Sequence, residues 1–191
     1  KINHFGKYLP DITLLQDGSL IFFDKTGRIT KYSKNLKPIW SKNYYSKKEK
    51  KMKPFLNFGA DKNLLVVTDN LSNYYLLNSD NGKLLWKNKN SAAFNSEIKI
   101  SNEKIFTVDY DNTLKCFSLK SGKLIWDFKN DNTLIKSTKR TSLVTVSNKV
   151  IFLSNTGDLN SVDQNGKLIW QTPTSNSILF EDSFTNTYSD I

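Results

Sequence analysis

The chain is poor in the residues on which most catalytic and redox sites depend. Its 191 residues include one cysteine, Cys116, and one histidine, His4. A single cysteine excludes an intrachain disulfide, and a lone histidine cannot supply a histidine-based metal site or a Ser-His-Asp triad. The sequence also lacks a GxxxxGK[ST] phosphate loop and a DxDxDG calcium loop. We therefore predict a non-enzyme with no catalytic, cofactor-binding or metal-binding residues.

Long hydrophobic runs are absent as well. No segment approaches the roughly 20 apolar residues that a membrane-spanning helix needs. The first residues, KINHFGKYLPD, lack the apolar stretch of a signal peptide. We expect any membrane association to be peripheral or to depend on a lipid anchor outside this sequence. For an exported protein, we expect the targeting segment to have been removed.

Arginine is scarce although the chain is basic. The formal net charge is +10, yet only Arg28 and Arg140 among the 28 basic residues are arginine. Proteins that read nucleic acids usually use the planar guanidinium group, which pairs bidentately with bases and phosphates. Here lysine accompanies abundant Asn, Ile and Ser, the composition that AT-rich codons tend to produce. We predict no nucleic-acid partner.

What the chain does contain is a repeat. NGKLLW at 81–86, SGKLIW at 121–126 and NGKLIW at 165–170 are nearly identical, and KPIW at 37–40 is a looser copy. Three short apolar or alternating segments, separated by turn residues, precede each copy. In the unit that ends in SGKLIW they are SEIKIS, EKIFTVDY and TLKCFSL. Together with the tryptophan segment they predict a four-stranded antiparallel meander of about 40 residues.

A four-stranded meander that recurs every 40 to 45 residues is typical of a β-propeller. We predict an all-β fold in which the whole chain forms one propeller segment. The predicted blades cover about 9–44, 54–90, 95–130 and 137–173. Residues 174–191 are predicted to be the start of a next blade or a closing strand.

The repeated tryptophans and glycines are predicted to be structural. A large ring on the outer strand can wedge between adjacent blades, and glycine allows positive φ in the turn before that strand. The predicted blade-packing residues are Trp40, Trp86, Trp126, Trp170, Gly82, Gly122 and Gly166. Ligand stacking is the alternative role of the tryptophans. Leu36 stands where the first unit should have glycine, which predicts a turn of different shape there.

The segments NSDNGKLLW, SLKSGKLIW and VDQNGKLIW resemble the PQQ-like repeat. That resemblance covers practically the whole chain and implies a propeller of about eight blades, of which this chain supplies four and the start of a fifth. PQQ-like propellers include quinoprotein dehydrogenases, sensors and the outer-membrane assembly lipoprotein BamB. The stretch 134–184 is similar to BamB-type proteins of α-proteobacteria in the general character of its sequence rather than in a diagnostic motif.

The resemblance implies a scaffold rather than an enzyme. A quinoprotein dehydrogenase of this family carries an adjacent cysteine pair and calcium ligands, and neither occurs here. The expectation is a BamB-like protein of the bacterial periplasm or outer membrane that meets protein partners of the outer-membrane β-barrel assembly machinery. The alternatives are a piece of a quinone- and calcium-dependent dehydrogenase and an extracytoplasmic ligand-sensing propeller.

Two lysine-rich segments are the candidate partner-binding surface. NYYSKKEKKMKPF (43–55) lengthens the first link between units, and KSTKR (136–140) lies at a similar place in the repeat. Both predict contact with an acidic protein or anionic headgroups, unless they are simply solvated loops. The candidate residues are Lys47, Lys48, Lys50, Lys51, Lys53, Lys136, Lys139 and Arg140.

An arc of four blades would leave an apolar sheet face bare at each end, which soluble monomers rarely expose. We therefore expect two copies to associate end to end as a homodimer that completes an eight-blade ring, unless further blades belong to the same chain.

Overall fold

A computed structural model describes residues 12–129 and 140–174. Within these residues the regular structure is β-strand, apart from one five-residue helix. The all-β prediction is confirmed. The expectations for His4, Lys136, Lys139 and residues 175–191 lie outside the described residues.

The strands form four antiparallel sheets, and in each sheet the four strands follow one another in chain order. Blade 1 consists of β1 (Thr13–Leu14), β2 (Leu20–Phe23), β3 (Arg28–Tyr32) and β4 (Pro38–Asn43). Blade 2 consists of β5 (Leu56–Asp61), β6 (Leu64–Asp69), β7 (Asn73–Asn78) and β8 (Leu84–Lys89). Blade 3 consists of β9 (Lys99–Ser101), β10 (Lys104–Val108), β11 (Thr113–Ser118) and β12 (Leu124–Lys129). Blade 4 consists of β13 (Leu143–Val146), β14 (Lys149–Leu153), β15 (Asp158–Asp163) and β16 (Leu168–Pro173).

Three apolar cores lie between consecutive sheets. The first joins blades 1 and 2, the second joins blades 2 and 3, and the third joins blades 3 and 4. Middle strands such as β6, with the sequence LLVVTD, are therefore buried on both faces. This is why the middle strands read as continuous apolar runs rather than as alternating ones. Sheets stacked face to face in chain order are the blades of a propeller.

The turns between the second and third strands begin with a polar residue that binds the backbone ahead of it. The Oδ1 atom of Asp69 accepts hydrogen bonds from the backbone N–H groups of Leu71 at 2.8 Å and Asn73 at 2.7 Å. In blade 4, the Ser154 hydroxyl accepts from the backbone N–H of Asp158 at 3.0 Å. Such side-chain caps satisfy backbone N–H groups of the turn, and they lie at the same point of the repeat, where β6 and β14 end.

The turn of blade 1 before β4 is one residue shorter than the corresponding turns of blades 2 and 3 and matches that of blade 4. Leu36 adopts φ 58°, in the left-handed region where Gly166 lies in blade 4. Its N–H donates to the carbonyl of Ser33 at 2.8 Å, as the N–H of Gly166 donates to Asp163 at 3.1 Å. The predicted difference in shape therefore holds against blades 2 and 3 but not against blade 4, and the surrounding hydrogen bonds hold Leu36 in a conformation that favours glycine.

Each outer strand contains a bulge next to its tryptophan. The pairing with the neighbouring strand shifts at Lys31/Tyr32, Leu76/Leu77, Cys116/Phe117 and Ser161/Val162. Pairs of apolar residues around these bulges are exposed on the outer rim. The pairs are Leu84 and Leu85, Leu124 and Ile125, and Leu168 and Ile169.

A buried lysine of blade 1 forms an ion pair with a largely exposed carboxylate. The Lys31 side chain is 4% exposed, and its Nζ lies 3.1 Å from an Asp17 carboxylate oxygen. Hydrogen bonds from the side chain and backbone of Ser19, followed by the Lys31 contact, lower the pKa of Asp17 to about 2. A buried ammonium group needs such a partner.

We predict that Asp17→Asn lowers the free energy of unfolding at pH 7 by about 1 kcal/mol or less, since 57% of the Asp17 side chain is exposed and water screens the pair. The folded pKa lies below the ordinary value of 3.8. The stabilisation is therefore present above about pH 4 and is lost as the pH falls toward 2. Urea denaturation of both proteins should show their difference shrinking over that range, whereas a constant difference would contradict the prediction.

Candidate functional site

The topology places the links between blades on one face of the molecule. In each meander the fourth strand ends at the same side on which the second strand turns into the third. The link 44–55, the start of β13 and the turn at Asp69 therefore share one side, which we call the link face. The turns before the outer strands, at 33–37, 78–83, 118–123 and 163–167, lie on the opposite face.

The lysine-rich link contains a short helix, α1 (Lys47–Lys51). Ser46 and Glu49 form a capping box: the Ser46 hydroxyl accepts from the backbone N–H of Glu49 at 3.3 Å, and a Glu49 carboxylate oxygen accepts from the N–H of Ser46 at 2.8 Å. These reciprocal bonds satisfy two N–H groups that a helix start would leave unpaired. The sequence pattern Ser-x-x-Glu was the signal for this helix, and the sequence analysis missed it.

The helix directs most of its charge to solvent. Glu49 is half-buried, and Lys50 is half-buried beside it. Partial burial acts to raise the pKa of Glu49, but hydrogen bonds from Ser46 outweigh it and the pKa is lowered. The carboxylate is thus used within the cap. The lysines left exposed are Lys47, Lys48, Lys51 and Lys53.

A buried polar cluster anchors this link to blade 2. The Tyr45 hydroxyl donates to a carboxylate oxygen of Asp69 at 2.6 Å and lies 3.3 Å from the Tyr75 hydroxyl. The Asn73 side-chain amide donates to the same Asp69 oxygen at 2.9 Å. Burial raises the pKa of Asp69, and burial together with this carboxylate raises the pKa of Tyr45. Because every oxygen of Asp69 has a donor, the cluster fixes the entry to α1 rather than offering a reactive group.

A lysine completes the anchor. The Nζ atom of Lys87 donates to the backbone carbonyl of Tyr44 at 3.0 Å. The same atom lies 5.1 Å from the ring centroid of Tyr45 and 5.8 Å from that of Tyr75. These are cation–π distances. These contacts fix the link against blade 2, so the lysines of α1 project from a fixed position.

The second basic segment is described only at its end. Arg140 is exposed and precedes β13 on the link face. Lys136 and Lys139 lie outside the described residues. The structure thus places Lys47, Lys48, Lys50, Lys51 and Lys53 on α1 and its C-terminal flank, with Arg140 on the same face.

The tryptophans form joints between consecutive blades. The indole N–H groups of Trp40, Trp86 and Trp126 donate to the carbonyls of Ser79, Leu119 and Gln164 in the next blade, at 2.9, 3.0 and 2.9 Å. The rings lie against Gly82, Gly122 and Gly166. A Cβ atom at these glycines would approach the rings to 2.8, 2.8 and 2.7 Å. Blades 1, 2 and 3 thus each insert one ring into the turn of the next blade.

Tyrosines reinforce two of these joints. The hydroxyl of Tyr44 donates to the carbonyl of Gly82, and the hydroxyl of Tyr74 donates to that of Gly122 at 2.9 Å. The sequence analysis missed both tyrosines. Their signal was the pair YY at 44–45 and again at 74–75.

Trp170 differs from the other three tryptophans. It is 37% exposed, whereas Trp40 is 9% exposed. Within residues 12–129 and 140–174 no following blade covers it. The exposed ring lies on the face of blade 4 that no described blade covers.

Two residues that invite a chemical interpretation are structural. Cys116 is fully buried in the core between blades 3 and 4, and burial raises its pKa to about 12, which keeps the thiol protonated and inert. The Asp109 carboxylate at the start of DYDN accepts the N–H groups of Asp111 at 3.0 Å and Thr113 at 3.1 Å. It is the turn cap of blade 3.

Stacked four-stranded blades joined by a repeated tryptophan-on-glycine contact define the PQQ-like class of β-propeller. A protein-family model described as outer membrane protein assembly factor BamB matches residues 16–182. The chain belongs to this family. No helix within the described residues is long and apolar enough to span a membrane.

Solved structures agree on the fold. BamB from Moraxella catarrhalis is similar with a TM-score of 0.69 at 15% identity, over 85% of this chain and 47% of that one. The computationally designed Ika4 protein has a TM-score of 0.65 at 11% identity, over 84% of this chain and 94% of that one. The WD40 domain of Neurospora crassa Pan2 has a TM-score of 0.63 at 14% identity, over 84% and 48%. The chain spans about half the length of the BamB structure, and no curated protein sequence matches it.

Proposed function

We propose that this chain is a non-enzymatic, BamB-like propeller scaffold of the bacterial periplasm or outer-membrane surface that acts in outer-membrane β-barrel protein assembly. Its role is to dock a protein partner of the assembly machinery. Membership of the BamB family supports this proposal. The observation that carries it is the row of exposed lysines on α1, which the cluster of Tyr45, Asp69 and Lys87 holds on the link face.

The partner surface is acidic. Four exposed lysines surround a single glutamate whose charge is already used by the helix cap. Their spacing on a short helix lies within the Debye length of about 8–10 Å, so their fields add. Charges of this kind mainly accelerate encounter and select the partner, and their effect falls as salt is added.

Charge reversal on the helix tests the proposal. We expect the variant Lys47→Glu, Lys48→Glu, Lys51→Glu and Lys53→Glu to bind at least tenfold more weakly than wild type to the purified periplasmic domains of the assembly machinery. The loss arises because four attractive contacts become repulsive, each contributing on the order of 0.5 kcal/mol. Surface plasmon resonance at low and high salt measures the loss of affinity. The difference in Kd between wild type and the variant should become smaller at high salt.

A matched control is available on the opposite face. Lys34, Lys62, Lys120 and Lys123 are exposed there, in or beside the turns. Exchanging these four for glutamate lowers the formal net charge from +10 to +2, as the helix variant does, because each exchange removes two units of charge. The control should bind within about twofold of wild type. Equal losses in both variants would show a nonspecific charge effect and overturn the proposal. Loss of binding only to anionic vesicles would point to lipid instead.

A further inference from the structure

The dipeptide Asn-Gly occurs twice in the chain, at Asn81–Gly82 and at Asn165–Gly166. Both copies lie in the turn before an outer strand, and both asparagines are exposed. In such a pair the backbone nitrogen of glycine can attack the side-chain carbonyl carbon of asparagine, because glycine has no side chain to block the approach. The two sites have the same local sequence, NGKL, so a difference in their reactivity has to come from the fold.

The fold holds the asparagine of blade 2 in place. The Oδ1 atom of Asn81 accepts a hydrogen bond from the backbone N–H of Lys83 at 2.8 Å. The N–H of Gly82 donates to the carbonyl of Asn78 at 2.9 Å, and Gly82 is buried. Attack requires the Asn81 amide to rotate and the Gly82 nitrogen to give up its proton, so both hydrogen bonds must open first. The site in blade 2 is therefore protected.

The asparagine of blade 4 is not held in this way. Its turn is one residue shorter, and the backbone N–H of Lys167, which corresponds to that of Lys83, donates to Asp163 Oδ1 at 2.9 Å. Within residues 12–129 and 140–174 the Asn165 side chain is consequently left without a hydrogen-bond partner. The N–H of Gly166 donates to the carbonyl of Asp163 over a longer distance of 3.1 Å, and Gly166 is only half-buried.

The backbone around Asn165 forms part of the joint between blades 3 and 4. The carbonyl of Gln164 accepts the indole N–H of Trp126 at 2.9 Å and the ammonium group of Lys104 at 2.8 Å. Gly166 lies against the same indole ring, where an added Cβ atom would come within 2.7 Å of a ring carbon. Because the contact is this close, the joint tolerates little displacement of residues 164–166.

We propose that Asn165 is a site of spontaneous deamidation in the folded protein, and that isoaspartate at this position weakens the joint between blades 3 and 4. The Gly166 nitrogen forms a bond to Asn165 Cγ, and its proton leaves with the side-chain amide as ammonia. Water then opens the cyclic imide at either carbonyl, which gives aspartate or isoaspartate. Isoaspartate routes the backbone through the side chain, so one additional carbon separates the Cα of residue 165 from Gly166 and displaces the glycine from Trp126. This proposal does not depend on the partner at the link face.

Ageing of the full-length protein tests the first part within a single sample. Native wild type is incubated at mildly alkaline pH, digested, and analysed by mass spectrometry that separates Asn, Asp and isoaspartate at both positions. We expect Asn165 to deamidate at least about fivefold faster than Asn81, the factor that one additional hydrogen bond confers. In urea-unfolded protein the two rates should agree within about twofold, because the local sequences match. Equal rates in the native protein, or a difference that persists in urea, would overturn the proposal.

Stability after ageing tests the second part. Asn165→Ser removes the reactive amide and supplies the residue that blade 3 has at this position, Ser121, and Asn81→Ser is the matched control. In aged wild type and aged Asn81→Ser, a fraction equal to the isoaspartate content at residue 165 should unfold at lower urea concentration than the fresh protein. Aged Asn165→Ser should keep its midpoint. An equal loss in aged Asn165→Ser, or an unchanged midpoint in wild type that contains isoaspartate at residue 165, would contradict this part.

Discussion

Replacing Trp40 by alanine is expected to lower the free energy of unfolding by about 3–5 kcal/mol. The indole is 9% exposed, belongs to the core between blades 1 and 2, and donates to the carbonyl of Ser79 at 2.9 Å. Truncation removes that buried surface, leaves a cavity against Gly82 and costs the carbonyl its donor. Urea denaturation followed by circular dichroism measures the loss.

Trp170→Ala is the matched control, since it makes the same chemical change in the same repeat position. We expect it to cost less than about 1 kcal/mol, because 37% of that residue is already exposed and no described blade receives it. Equal losses for Trp40→Ala and Trp170→Ala would show that the rings do not hold blades together. The difference between the two variants is thus a direct measure of one joint.

Gly82→Ala is the second large effect, with an expected loss of about 3 kcal/mol. Two costs combine at this position. A side chain at φ 70° costs roughly 1–2 kcal/mol, and the new Cβ meets Trp40 Cε3 at 2.8 Å, which adds roughly 1–3 kcal/mol of overpacking. The same denaturation experiment gives the sum of the two costs.

Gly18→Ala separates these costs. Gly18 has φ 76°, but the nearest atom to a new Cβ there is Lys34 Cβ at 3.9 Å, an ordinary contact distance. This variant should lose only the conformational part, about 1–2 kcal/mol. In addition, Gly82→Ala should cost less when Trp40 is already alanine, because the ring that it strikes is gone. Full additivity of Trp40→Ala and Gly82→Ala would refute the proposed contact.

The repeated hexapeptide was enough to predict the class of fold. Tight turns and apolar runs recur with it, and strands that pair with their sequence neighbours need little long-range information. The tryptophans could be predicted as packing residues, because each is a large ring at a fixed position in its meander. Their individual environments could not be predicted from the sequence, because Trp126 and Trp170 have the same local sequence, KLIW, and only Trp126 is followed by a blade within the described residues.

Local pattern was least informative where tertiary hydrogen bonds decide conformation. Leucine disfavours positive φ, so Leu36 predicted an altered turn. The turn does differ from those of blades 2 and 3, but Leu36 keeps the positive φ of the glycines because the surrounding hydrogen bonds hold it there. The lysine run at 47–51 looked like an open loop. The capping box of Ser46 and Glu49 makes it a helix, and the hydrogen bond from Tyr45 to the distant Asp69 fixes that helix against blade 2. Contacts between residues far apart in sequence, such as Tyr45 with Asp69, produce no periodic pattern in the sequence from which they could be predicted.

The bulges beside the tryptophans bear on how the molecule stays soluble. Each outer strand has exposed leucine or isoleucine next to an open sheet edge, a combination that ordinarily promotes intermolecular β-sheet growth. At the bulge one strand has an extra residue, so the row of backbone donors and acceptors loses its even spacing. A foreign strand can match only a few residues on either side. The bulge beside each tryptophan therefore also hinders fibril-like assembly at the rim.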